Sequence, residues 1–154
     1  MSADHDIKVM NSLIETVIDS ADGYTEAAKE AAKQQRSSRY SEIFRRRGAE
    51  RQDLTVRLQS KVRALGGAPE DDGTMLASAH RMFLNLRNSM SSDEIAIVDQ
   101  VEAGEDHIKH KFEDAQRDRD VSPTTMAAIN EAYVIVKAGH DEIRNLKHAL
   151  HAGM

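Results

Sequence analysis

Proline is nearly absent from this chain of 154 residues, which contains only Pro69 and Pro123. Because proline disrupts a helix interior, its absence elsewhere leaves room for long uninterrupted helices. Both prolines coincide with breaks in the hydrophobic pattern: Gly66-Gly67 comes just before the first, and Ser122 directly precedes the second. Glycine ends helices and a serine–proline pair begins them, so both prolines mark boundaries between helices.

Apolar residues recur in alternating steps of three and four between these breaks, as on the buried face of an amphipathic helix. No stretch of the sequence shows the alternation of apolar and polar residues that is typical of a strand. The spacing predicts four long helices and one shorter helix, over about residues 5–34, 38–65, 92–118 and 123–152, and over 74–90. A content of 40% hydrophobic and 31% charged residues is typical of a globular protein, and we expect residues 1–154 to form one domain.

The connections between these helices predict a topology. Two tight turns, near residues 36 and 120, make two antiparallel helix pairs. The region 66–92 is too long for a simple turn, so we expect it to cross between the pairs and to carry the short helix. A four-helix bundle with one long crossover is the ferritin-like arrangement. The sequence therefore predicts an all-α, ferritin-like antiparallel bundle with a short fifth helix between helices two and three.

Charge and composition exclude several functions. A net charge of −5 argues against nucleic-acid binding, because phosphate contacts require a basic face. The absence of cysteine excludes disulfides and thiolate metal sites, and it fits a reducing cytoplasm. No segment has the length of a membrane span, and the N-terminus lacks the pattern of a signal peptide. We expect a cytoplasmic protein that binds neither nucleic acid nor membrane.

Two polar residues, Glu105 and His140, occupy positions that the helical pattern assigns to the core. Burial of an unpaired carboxylate is costly, so Glu105 needs a partner. Counting residues from the two tight turns places Asp22, Glu50 and Glu102 at about the same height, near the middle of the bundle. The sequence therefore predicts a polar cluster at mid-bundle, and two interpretations of it remain open.

The first interpretation is a metal site made of Asp22, Glu50, Glu102, Glu105 and His140. Di-iron carboxylate bundles take one Glu from each of two helices and a Glu-x-x-His motif from each of the others. Oxygen and imidazole ligands suit iron or manganese. The match is partial, because Asp53 stands where the motif requires a histidine and Lys137 stands where it requires a carboxylate.

The second interpretation is a polar cluster that holds no cofactor. Arg47 and Arg51 border the apolar face of helix two at this height, where they can pair with the carboxylates. His140 would close such a network by hydrogen bonds, and a buried pair of this kind can fix the register of similar helices. If Glu105 is buried and paired, we expect Glu105→Leu to be neutral or stabilising and the loss of its partner to cost several kcal/mol.

Several stretches of the chain resemble a bacterial ferritin-like four-helix-bundle family, catalogued as domain of unknown function 2383. The resemblance covers about residues 7–147 and rests on "LIETVIDSADGYTEAAKEA" (13–31), "VRALGGAPEDDGTMLASAHRMFLNLR" (62–87), "VEAGEDH" (101–107) and "GHDEIRNL" (139–146). It implies a ferritin-like bundle related to iron-binding proteins, with some members associated with stress responses. The family pattern has Glu, Gln and Gln where this chain has Asp22, Asp53 and Lys137, departures that disfavour a complete metal site.

These observations lead to two functional expectations. The first is a non-catalytic ferritin-like protein with a polar cluster at mid-bundle, which acts in stress physiology through a protein partner or as a homodimer. The alternative is an iron- or manganese-binding protein of the same fold, with oxidase or storage-type chemistry.

Overall fold

The computed structural model describes residues 2–33, 38–73 and 94–153. Within these ranges the chain forms α1 (Ala3–Ala32), α2 (Ser38–Ala64), α3 (Glu94–Gln116) and α4 (Pro123–Ala152). The described residues contain no strand, so the predicted all-α class is confirmed for them. The short helix predicted over 74–90 lies outside the described residues. None of the described helices is long and apolar enough to cross a membrane.

Local signals set the helix boundaries, which fall within two residues of the predicted ones. α4 begins at Pro123, as predicted, and the Ser122 hydroxyl caps it by accepting a hydrogen bond from the Thr125 N–H at 3.4 Å. α2 ends just before Gly66, whose φ of 87° lies in the left-handed region that glycine adopts without strain. Both caps of α1, Ser2 at its start and Lys33 at its end, were not predicted from the sequence.

Each helix of the bundle lies antiparallel to both of its neighbours. α1 packs on α2 and α3, and α4 packs on the same two helices. At one end, Asp6 of α1 accepts a hydrogen bond from the Ser122 N–H at the start of α4. At the other end, His151 near the end of α4 lies 3.0 Å from Asp99 near the start of α3. The helices therefore follow one another around the bundle in the order α1, α2, α4, α3.

The segment after α2 turns back along the bundle. Asn11 of α1 bonds to it twice, donating to the Ala68 carbonyl at 3.1 Å and accepting from the Glu70 N–H at 2.9 Å. By Gly73 the segment has reached the side chain of Asp19. Asn11 and Asp19 are separated by about 12 Å along the axis of α1. Residues 65–73 thus run from the end of α2 toward the end of the bundle at which α3 begins.

The core consists of two hydrophobic clusters stacked along the bundle. We call the end at which α1 and α4 begin the lower end and the opposite end the upper end. The lower cluster contains Met10, Leu13, Ile14, Val17, Leu54, Leu58, Val62, Ile108, Phe112, Ala115, Val121, Ile129, Ala132 and Val136. The upper cluster contains Tyr24, Ala27, Ala28, Ala31, Tyr40, Phe44, Ile97, Val98, Val101 and Ile143. Between them, each helix contributes a polar residue or a glycine: Ser20, Arg51, Glu105 and Gly139. The core is therefore divided at mid-bundle by a polar layer.

A buried carboxylate closes the lower end of the bundle. Asp6 is only 2% exposed and accepts hydrogen bonds from the Ser122 N–H at 3.0 Å, the Ser122 hydroxyl at 2.5 Å and the Thr125 hydroxyl at 2.9 Å. Burial alone would raise the pKa of Asp6, but these hydrogen bonds outweigh it and hold the pKa below its ordinary value. Asp6 thus joins the first turn of α1 to the first turn of α4 in its ionised form.

We expect the stabilisation from Asp6 to depend on pH. Because its folded pKa is depressed, the stabilisation is present above the unfolded pKa and is lost as pH falls through the folded pKa. In urea melts at pH 7, Asp6→Asn should reduce the free energy of unfolding by about 1.5–3 kcal/mol, and this difference should shrink below about pH 4. Asp4→Asn, at an exposed position in the same turn, is the matched control. An equal loss in both variants would contradict this role of Asp6.

Candidate functional site

The side chain of Arg51, on α2, occupies the polar layer and contacts the other three helices. It is 0% exposed, and Nη1 and Nη2 each lie 2.9 Å from a different oxygen of Glu105 in α3. Nη1 also donates to the Ser20 hydroxyl of α1 at 2.9 Å, and Nη2 donates to the Val136 carbonyl of α4 at 3.4 Å. The hydrogen bond from Nη2 to Oε2 is charge-assisted, which makes it a strong one, and the contact between Nη1 and Oε1 adds a second point of ion pairing.

The absence of a side chain at Gly139 makes room for the guanidinium. A Cβ built on Gly139 would collide with Nη2 of Arg51, and it would lie 3.3 Å from Oε2 of Glu105. The backbone of α4 therefore approaches the ion pair more closely than any residue with a side chain allows. Glycine inside a helix lowers stability, so a packing requirement accounts for its presence here.

The ring of Tyr24 covers the ion pair from α1. The Arg51 guanidinium carbon lies 5.6 Å from the ring centroid, a distance at which the cation is attracted to the π face. Burial raises the pKa of Tyr24 well above its ordinary value, and the charge of Glu105 raises it further. Within the described residues, the Tyr24 hydroxyl and Nε of Arg51 are buried without a hydrogen-bond partner. The phenol therefore stays neutral beside a fixed pair of charges.

Three of the five predicted metal ligands lie apart from one another. Glu105, only 1% exposed, is held by Arg51 through both carboxylate oxygens. Glu50 is paired at 2.9 Å with Nη1 of Arg47, at the edge of the bundle. Asp22 is exposed on α1, where partial burial, followed by repulsion from neighbouring carboxylates, raises its pKa. These three residues do not fit a di-metal centre, because two are held by arginines and the third faces solvent.

The other two predicted ligands, Glu102 and His140, lie together on the face between α3 and α4. Asp106 joins them, and one donor atom from each residue lies within 4.8 Å of the others. Nε2 of His140 is 2.7 Å from Oδ1 of Asp106, and Nδ1 is 3.2 Å from Oδ1 of Asp141. Lys147 donates to Oε2 of Glu102 at 3.1 Å. We call Glu102, Asp106 and His140 the α3–α4 cluster.

Asp106 is the member of this cluster that sequence reasoning missed. A search for Glu-x-x-His spacing passes over it, although it lies four residues after Glu102 and therefore on the same helix face. Lys137, which the sequence placed as an adverse cation beside a metal, is instead paired with Asp141 at 2.7 Å. Hydrogen bonds from Lys137 and then from His140 lower the pKa of Asp141.

A second group of metal-binding side chains lies at the lower end of the bundle. His5, Asp118 and Asp120 also offer donor atoms within 4.8 Å of one another. Nε2 of His5 lies 2.9 Å from Oδ2 of Asp118, whose other oxygen accepts the Asp120 N–H at 2.9 Å. This group has no buried member, because His5 and Asp118 are partly exposed and Asp120 is exposed. Its polar contacts are those of a capped turn between α3 and α4.

Fold and site together define a class of protein: an all-helical bundle whose core is divided by a buried arginine–glutamate pair. A family model described as Domain of unknown function (DUF2383) matches residues 5–118, and the chain belongs to that family. The predicted resemblance to this family is thereby confirmed. The match includes Arg51 and Glu105 and ends before α4. No curated protein and no solved structure matches the chain significantly.

The close approach of α4 to the ion pair gives a prediction. Elsewhere in a helix, Gly→Ala stabilises by about 1 kcal/mol. Gly139→Ala should instead destabilise the protein by about 1–3 kcal/mol in thermal or urea unfolding, because the new methyl group displaces the Arg51 guanidinium. The matched control is the same change in an Arg51→Met, Glu105→Leu background, where the collision is removed and the penalty should vanish. A Gly139→Ala variant more stable than the wild type would contradict the observed packing.

Proposed function

We propose that this chain is a ferritin-like bundle protein that acts without catalysis, by binding a partner, and that the Arg51–Glu105 pair takes the place of a mid-bundle metal centre. The observation that carries the proposal is the two-point contact between the guanidinium and the deepest carboxylate of the bundle. A carboxylate held at both oxygens offers no ligand to a metal unless the ion pair breaks. Breaking it would leave a buried arginine unpaired, which costs about 3–5 kcal/mol.

The directions of the helices support the ferritin-like part of the proposal. α2 and α3 run in the same direction, so a chain that joins the end of one to the start of the other has to travel the length of the bundle. Residues 65–73 form the first part of this path, since they run along α1 from Asn11 to Asp19. One long crossover of this kind distinguishes the ferritin-like arrangement from bundles with short loops only. The short helix over 74–90 remains a prediction from the sequence.

The proposed mode of action is association with another protein or with a second copy of this chain in the cytoplasm. The support for a role in stress physiology is the likeness to a family in which some members have that association. The support for binding over chemistry comes from the core itself, where the Arg51–Glu105 layer lies between two hydrophobic clusters. A centre that oxidises iron requires open coordination positions, whereas this layer is filled by the side chains of Ser20, Arg51 and Glu105, packed against the backbone of α4 at Gly139.

The alternative is an iron- or manganese-binding protein with oxidase or storage-type chemistry at mid-bundle. Its ligands would be Glu50, Glu102, Glu105 and His140, with Asp22 as a weaker one. The observation in its favour is the proximity of Glu102 and His140. The arginine partners of Glu50 and Glu105 weigh against it.

Metal content and iron oxidation separate these two functions. Protein without a histidine tag, purified without chelator, should contain iron and manganese bound through Glu50 and Glu105 far below one ion per chain, and it should not accelerate the oxidation of ferrous iron. Any small metal content should be the same in Glu50→Gln and in the Arg51→Met, Glu105→Leu double variant. Near-unit occupancy that is lost in both variants would overturn the proposal and establish the alternative.

A further inference from the structure

We propose that the α3–α4 cluster of Glu102, Asp106 and His140 binds one divalent transition-metal ion, with Asp141 as the residue that positions the imidazole. This site lies outside the Arg51–Glu105 layer, so it is independent of the proposed function. It also differs from the alternative in its ligands, since it includes Asp106 and excludes Glu50 and Glu105. The proposal rests on the geometry of the donor atoms, on the hydrogen bonds of His140 and on the surrounding charges.

The donor atoms are already near the separation that one ion requires. The chosen atoms of the three residues lie within 4.8 Å of one another. The ligand atoms of a single zinc ion lie roughly 3–4 Å apart, given bonds of about 2.0–2.2 Å to nitrogen and oxygen. Glu102 and Asp106 project from successive turns of α3, and the Asp106 side chain is 46% exposed. An ion that enters the site takes the place of the contact between Asp106 and Nε2 of His140, and the exposed Asp106 side chain can move outward to bind it.

His140 is surrounded by acceptors in a way that calls for a cation. Its side chain is 5% exposed, and both ring nitrogens face carboxylate oxygens, Asp106 on one side and Asp141 on the other. Carboxylates only accept hydrogen bonds, whereas a neutral imidazole has a single N–H to donate. A neutral imidazole therefore cannot donate to both carboxylates, and a cation bound at Nε2 would replace the contact with Asp106. Glu102 and Asp106 supply two further ligands for such a cation.

Asp141 lies where a metal-binding histidine usually has its supporting carboxylate. Histidine ligands commonly donate the N–H of the second ring nitrogen to a carboxylate, which fixes the orientation of the ring. Here Nδ1 is 3.2 Å from Oδ1 of Asp141, while the other oxygen of Asp141 accepts from Lys137 at 2.7 Å. The lysine thus holds the supporting carboxylate through the oxygen that does not contact His140.

The chemistry of the donors selects the class of ion. One imidazole nitrogen and two carboxylate oxygens suit Zn²⁺, Fe²⁺ or Mn²⁺, whereas Mg²⁺ and Ca²⁺ prefer oxygen ligands alone. Among these three ions, zinc binds most tightly to a site of this kind. The site offers three protein ligands, and one of them, Asp106, is partly exposed to solvent. A zinc ion with three protein ligands keeps a fourth coordination position for water. Zn²⁺ is therefore the ion with which the site is best tested.

Lys147 competes with the ion for Glu102. Its ammonium group donates to Oε2 of Glu102 at 3.1 Å, and the lysine side chain is one-third exposed. An ion that binds Glu102 through this oxygen has to displace the ammonium group into solvent. Removal of the lysine should therefore strengthen metal binding, an effect that a purely structural salt bridge does not produce.

The test is a titration of tag-free, full-length protein, first stripped with chelator, with Zn²⁺ by calorimetry and with Co²⁺ by visible absorption. The wild type should bind one ion per chain and give the absorption bands of protein-bound Co²⁺. Asp106→Asn and Glu102→Gln should each weaken Zn²⁺ binding at least about tenfold, and Asp141→Asn should weaken it about 10–100-fold. Lys147→Met should tighten it. Circular dichroism establishes that each variant is folded.

The controls use two other histidine–carboxylate pairs found among the described residues. His151→Ala removes a pair on the same face that lacks a third ligand, and Asp118→Asn disrupts the group at the lower end. Both variants should bind Zn²⁺ as the wild type does. Absence of Zn²⁺ binding, or binding that survives Asp106→Asn and Glu102→Gln, would overturn the proposal, as would binding lost in Asp118→Asn. Binding lost only in the Arg51→Met, Glu105→Leu double variant would overturn it and the proposed function together.

Discussion

The ion pair between Arg51 and Glu105 is the contact on which the rest of the bundle depends. It is the one buried layer at which all four described helices meet through directed hydrogen bonds. The aliphatic side chains above and below it are held by hydrophobic burial, which has no preferred direction. A shift of any helix by one turn would preserve much of that burial, but it would separate the guanidinium from a partner. The ion pair therefore determines which of several similar helix alignments is stable.

This constraint matters more in this chain than in most, because aromatic residues make up only 4% of it and tryptophan is absent. Large rigid side chains commonly fix the packing of a bundle, and among the described residues Arg51 is the largest side chain that is wholly buried. The cost of the pair is visible within the described residues in two buried polar atoms that have no hydrogen-bond partner, Nε of Arg51 itself and the hydroxyl of the neighbouring Tyr24. A buried ion pair is a weak source of net stability, so its contribution is better understood as specificity of alignment. Gly139 belongs to the same arrangement, since its missing side chain is what admits the guanidinium.

Much of the fold could be predicted from the sequence, because hydrophobic period and capping residues are local signals. Glu105 could also be predicted as a buried, paired residue from its place on an apolar helix face. Its partner could not be chosen between Arg47 and Arg51, since an arginine side chain is long enough to place its charge far from its own Cα. Counting residues from the turns predicts how far along the bundle a residue lies, but not the side of the helix on which it lies. Asp22 was therefore predicted to join the polar cluster, whereas it is exposed on α1.

The identity of the partner also changes what replacement of Glu105 should do. Arginine keeps its charge at any ordinary pH, so Glu105→Leu alone leaves a buried cation without a partner, and the neutral effect expected from the sequence no longer follows. The most direct test is a double-mutant cycle in urea unfolding with Arg51→Met, Glu105→Leu and the combination. We predict that each single variant loses about 3–5 kcal/mol and that the double variant is within about 1 kcal/mol of the wild type or more stable. Single losses that simply add in the double variant would contradict the account.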